Sequence, residues 1–280
     1  MKKCPYCGRE YPDTETRCPL DGEELPGGEA ASVLTVPPLL NPPLPHKVWT
    51  ERELRIAELL LVCLTAFGAY IISSFHAVIW DHYYTTGYRS AYSWFNSGFD
   101  EATTMGLLWY VLLRRGKCFA DLGLKWSGKD IGWSVLLFLG SCLAFKVVYG
   151  VFYYSGLTPE SHKEADTRVG QIVFGGTIYG ATILFQFLNP FFEELIVRAY
   201  VMTEIKFLTG SLPKAVLAST LLQTSYHFYQ GAPAAISHGA TFLVFSIFYA
   251  KTNRITPVVL AHLYSDVGAT FWFQFSQPHS

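Results

Sequence analysis

IAELLLVCLTAFGAYIISSFHAVIW, residues 56–80, holds one acidic residue, Glu58, in a run long enough to cross a bilayer as a helix. Further apolar stretches lie near 99–113, 131–155, 171–190, 212–229, 234–250 and 256–275. Several approach the roughly 20 residues that a helical span needs. Asp100 and Glu101 near the start of the second stretch soften its outer boundary. The pattern predicts an all-α polytopic membrane protein with about six to eight transmembrane helices. Composition agrees, because 15% of the 280 residues are charged where soluble domains carry about 25%. A net charge of −1 gives no electrostatic case for a nucleic-acid partner. No cleavable signal peptide is visible in the polar N-terminus.

The remaining sequence divides into a head at 1–25 and a proline-rich linker at 26–50, ahead of a membrane domain at 51–280. In the head, Cys4 and Cys7 form a Cys-x2-Cys turn, and Cys18 and Asp21 stand in the same relation ten intervening residues later. Two such turns supply the four ligands of a tetrahedral zinc site. Gly8 and Gly22 follow the second ligand position of each turn, where a tight knuckle needs a permissive backbone. The segment resembles a zinc ribbon, with Asp21 where a fourth cysteine is common. A structural zinc on Cys4, Cys7, Cys18 and Asp21 is expected, and a protein partner for the head with it. Reduced thiolates place the head in the cytoplasm. Cys63, Cys118 and Cys142 show no spacing pattern and read as free thiols.

Basic residues give the orientation. Lys47, Arg52 and Arg55 precede the first span. Arg114, Arg115, Lys117, Lys125 and Lys129 follow the second, and Lys251 and Arg254 follow the sixth. Both the positive-inside bias and the thiolate head predict a multi-pass protein of the cell (inner) membrane with a cytoplasmic N-terminus.

Within this apolar sequence, FFEELIVRAY at 191–200 carries Glu193, Glu194 and Arg198. A charge at the bilayer centre costs about 2.5–3.5 kcal/mol on insertion scales, so such groups pair, line a cavity, or work. In an α-helix Glu194 and Arg198 are i and i+4 with the acid first, the favourable order for an ion pair. Glu193 is rotated by about 100° from Glu194. The expectation is that Arg198 neutralises Glu194 while Glu193 faces a cavity. Asn189-Pro190 just upstream is expected to kink or restart the helix. His227 ends a later apolar stretch, and His262 and Asp266 are i, i+4 in the last one.

Glu193-Glu194-Leu195-Ile196-Val197-Arg198, then His227, then His-x3-Asp at His262 and Asp266 resemble the CPBP intramembrane proteases. These are the CAAX-prenyl-protease and bacteriocin-processing group, also called Abi proteins. The matching motifs fall between 180 and 275, and DLGLKW at 121–126 resembles a motif preceding the family's core, which sets that core at about 120–275. The resemblance implies an intramembrane endopeptidase acting on peptide or membrane-protein substrates in the lipid bilayer. It implies that Glu193 and His227 activate a water, that Glu194 and Arg198 hold the geometry, and that His262 and Asp266 stabilise the oxyanion. General-base and oxyanion chemistry suit these residue types. Val197, Ala199 and Gln223 depart from the family's usual residues and are expected to reshape the pocket without touching its polar groups. Asp266 replaces a common asparagine and is expected to orient His262.

Simple spans put His227 roughly 24 Å and His262 roughly 9 Å from the basic end. They meet if the loop near Gly210 and Pro213 dips into the protein. Two alternatives use the same residues: a catalytic zinc on Glu193, His227 and His262, with HExxH absent, or an inactive immunity or scaffold protein. A proton-coupled transporter lacks the inverted repeat expected of it.

Overall fold

The computed structural model describes residues 1–4, 8–19, 22, 24–25, 49–80, 90–158 and 177–275. Cys7, Asp21 and nearly all of the linker lie outside the described residues. The chain divides into two compact units, Met1–Val48 and Trp49–Ser280.

In the head, β1 (Lys2–Lys3) pairs antiparallel with β2 (Glu10–Tyr11). Cys4 and Cys18 are buried together with Leu25, against Tyr11. Each cysteine opens the same turn: the Gly8 amide donates to Cys4 O at 3.0 Å, and the Gly22 amide to Cys18 O at 2.9 Å. Gly8 and Gly22 have φ of +72° and +74°, which a side chain would oppose.

The second unit has only helices as regular elements among its described residues: α1 (Glu51–Ile79), α2 (Ala91–Arg114), a 3-10 turn (Phe119–Leu122), α3 (Lys129–Tyr154), α4 (Gly180–Glu193), a π-helical segment (Glu194–Tyr200), α5 (Val201–Thr209), α6 (Leu212–Ser225), a second 3-10 turn (Phe228–Gln230), α7 (Ala232–Thr252) and α8 (Thr256–Phe275). By length and composition α1, α3 and α7 could each cross a membrane. Helix α1 begins at a capping box: Thr50 Oγ1 accepts from the Glu53 amide, and Glu53 accepts from the Thr50 amide at 2.9 Å. Helix α3 turns Asp130, Ser134 and Ser141 inward and leaves Leu136, Leu139, Leu143, Val147 and Val151 exposed. Polar-in, apolar-out is the arrangement expected where lipid is the solvent.

The charged ends of the helices meet. Arg55 donates to Glu204 at 3.2 Å and Arg115 donates to Glu204 at 2.7 Å and to Glu58. The starts of α1 and the end of α2 are therefore tied to α5. A second knot forms around DLGLKW. A 3-10 turn at Phe119–Leu122 leads into Gly123, whose carbonyl accepts from the Ile255 amide at 3.2 Å. Tyr249 donates to Leu122 O at 3.1 Å and Thr256 to Lys125 O at 2.9 Å. Arg254 grips buried Asp130 with bonds of 2.7 and 2.9 Å. The Cys118 amide donates to Asp121 at 2.8 Å and holds that carboxyl below the usual carboxylate range. The motif thus fastens the start of α3 to the turn between α7 and α8.

Candidate active site

Helix α4 runs through Pro190 without ending, and the strain is taken up a turn later, where Glu194–Tyr200 winds as a π-helix. The expectation of a regular α-helix here is corrected. A π turn accommodates an extra residue and is frequent at functional positions. All seven of its residues are buried.

Glu194 and Arg198 remain neighbours in this wider turn. Arg198 Nε lies 3.3 Å from Glu194 Oε2, and both side chains are fully buried. The guanidinium also faces the rings of Phe242 and Phe245, 5.0 and 5.9 Å from their centroids. The other oxygen of Glu194 bonds His262 Nδ1 at 2.9 Å. The second ring nitrogen of His262 is 3.7 Å from Asp266 Oδ1. His262 thus stands between two carboxylates, a contact with Glu194 that spacing alone did not indicate. Asn189 sits against Asp266 from α4, and one turn further along these helices Gln186 donates to Thr270 at 2.8 Å.

Glu193 is held by different partners from Glu194. It is nearly buried, at 8% exposure, and accepts from Gln223 Nε2 at 2.5 Å. Tyr226 lies beside the same carboxylate and stacks on Phe67 with centroids 4.7 Å apart. Gln223 therefore adds a polar group to the site, against the expectation that it leaves the polar set unchanged.

His227 falls just past the end of α6. Its ring is enclosed by Tyr226, His238 and Phe242, at centroid distances of 4.9, 5.3 and 5.0 Å. Neither ring nitrogen has a hydrogen-bond partner among the described residues. His238 of α7 forms one wall of this pocket.

Helix lengths explain how the motifs meet. Glu194 is fifteen residues before Thr209, and Leu212 fifteen before His227. At 1.5 Å per residue each arm is about 22 Å long, so the hairpin returns His227 to the level of Glu194. His262 is only seven residues from Ile255, about 10 Å. The recessed turn is therefore the one between α7 and α8, where Ile255–Val259 are buried, and the loop at Gly210 stays exposed. This reverses the expectation that the 210–213 loop dips.

Glu193, Glu194 and His262 each offer a ligand atom within 4.8 Å of the others. That trio has the donor chemistry for a catalytic metal with an open position. It contains Glu194 where the sequence expectation had His227. Binding there would compete with the bond between Glu194 and His262.

The fold and site define an all-α membrane protein with a buried glutamate–histidine centre. Residues 175–268, about a third of the chain, match the family model described as type II CAAX prenyl endopeptidase Rce1-like. All six motif residues, Glu193, Glu194, Arg198, His227, His262 and Asp266, lie inside the match. No curated protein and no solved structure matches the chain.

Proposed function

We propose that the chain is an intramembrane endopeptidase that hydrolyses peptide bonds with a water activated by Glu193. The observation that carries this reading is the division within Glu193-Glu194. Glu194 is committed to Arg198 and His262, while Glu193 forms no ion pair among the described residues and is held by an amide. A carboxylate without a cationic partner is free to take a proton from water. In this mechanism the water oxygen bonds to the scissile carbonyl carbon as its proton passes to Glu193. The carbonyl oxygen becomes an oxyanion, and His262 Nε2, loosely held by Asp266 at 3.7 Å, donates to it. Collapse breaks the C–N bond, and the proton on Glu193 leaves with the amine. His227, with both ring nitrogens lacking a hydrogen-bond partner among the described residues, supplies a second group for the water.

The substrates are peptides or proteins that enter from the bilayer. The zinc-dependent form of this hydrolase would use Glu193, Glu194 and His262, the three donors that already converge. In the head, the paired turns at Cys4 and Cys18 support a structural zinc and a role in recruiting a partner.

The test compares cellular membrane peptides of the wild type with those of Glu193→Ala. Uncleaved membrane-proximal peptides are expected to accumulate in the variant. Identical peptide sets in the two would favour the inactive scaffold reading. Cleavage that survives strong chelation would remove the zinc-dependent form.

A further inference from the structure

Gln223 is fully buried in α6, one helical turn before His227. A buried primary amide brings two donors and an acceptor that must be satisfied, and an apolar side chain of the same size would carry no such burden. Its contacts show what it does. Nε2 donates to Glu193 Oε2 at 2.5 Å, and the same side chain lies against Glu194. Its Oε1 has no partner among the described residues. The amide therefore does not bridge α6 to a structural neighbour at both ends.

The last torsion of a glutamate is broad and roughly two-fold. Free of contacts, a glutamate carboxylate would present either oxygen over a wide arc; at Glu193 both Gln223 and Tyr226 lie against it. A short bond to one oxygen removes that freedom. We propose that Gln223 is a positioning residue that pins Oε2 of Glu193 and so aims Oε1 at the reacting water. This rests on the peptidase reading for its consequence, and on the bond to Glu193 alone for its geometry. The aim matters because a misplacement of about 1 Å at a reacting centre can cost on the order of a hundredfold in rate.

The test uses full-length protein in detergent with chelator present, and the variants Gln223→Leu and Gln223→Met. An apolar carbodiimide modifies carboxyls that are protonated and unengaged, and mass spectrometry reads the rate at each glutamate. With the bond to Gln223 gone, the freed Glu193 oxygen should make this carboxyl react roughly tenfold faster under fixed conditions. Glu204, buried and held by two arginines on α5, should keep its rate and reports any general loosening. On a peptide whose cleavage depends on Glu193, Gln223→Leu should lower kcat by roughly thirtyfold with KM within about threefold. The proposal is overturned if Glu193 reacts within twofold of wild type in both variants, or if Glu204 accelerates alongside it in both. The labelling needs no turnover. A wild type that cleaves nothing would sink the peptidase reading and leave this result to stand or fall separately.

Discussion

Glu194 is fully buried, with His262 Nδ1 2.9 Å from one oxygen and Arg198 Nε 3.3 Å from the other. Glu193, its chain neighbour, is hydrogen-bonded by uncharged Gln223 and lies beside Tyr226, with no ion pair of its own among the described residues. The two glutamates should therefore fail differently when neutralised. Glu193→Gln should unfold near the wild-type temperature in detergent yet lose activity by about 100–10,000-fold. Glu194→Gln strands the buried guanidinium of Arg198, and removing one partner of such a pair costs about 3–5 kcal/mol. A thermal scan of both variants checks the contrast, and equal melting temperatures would contradict it. The sequence already separated the two residues, because Arg198 four positions on can serve only one of them well. Gln223 was harder to see. Its importance depends on α6 lying against the π segment, and no local pattern announces that. Asn189 was noticed only as the neighbour of Pro190, whereas its side chain faces Asp266 across two helices.

At the level of elements, the site depends on where turns sit. The α5–α6 hairpin has equal arms, and α8 reaches the same level from a turn set deeper in the protein. DLGLKW is what covers that turn. Gly123 has φ of +88°, and a Cβ there would stand 2.1 Å from Asn253 O. Gly123→Ala should destabilise the membrane unit by about 2–3 kcal/mol, from left-handed strain together with displacement of the α7–α8 turn. Chemical or thermal unfolding in detergent measures this, and a change under about 0.5 kcal/mol would show that the loop docks without depending on the glycine. The apolar periodicity marked most of these helices. It could not show the π turn, because a π-helix arises from one surplus residue absorbed by tertiary packing. Nor could it show which loop is recessed, since the loops at 210–213 and 252–255 both look polar and turn-like.

At the scale of the whole molecule, the chain is two units of unlike character. In the head, the matched turns at Cys4 and Cys18 lead to a definite expectation: purified full-length protein should carry zinc that Cys4→Ser and Cys18→Ser each remove, measured by elemental analysis. Wild-type protein with no zinc, or variants that retain it in full, would refute the head site. In the membrane unit, the apolar stretches and basic flanks foretold an all-α bundle, but the ties at its charged end, from Arg55 and Arg115 to Glu204, join residues far apart in sequence and left no local trace. One further consequence follows from the short arms around the site. Helix α6 has 14 residues, about 21 Å of helix, whereas the hydrocarbon of a typical bilayer is about 30 Å thick. In a bilayer, lipid beside α6 would meet an apolar belt narrower than itself, a mismatch that local thinning relieves. Such thinning would bring headgroups, water and the backbone of a passing peptide closer to glutamates that a full-thickness bilayer would keep far from all three.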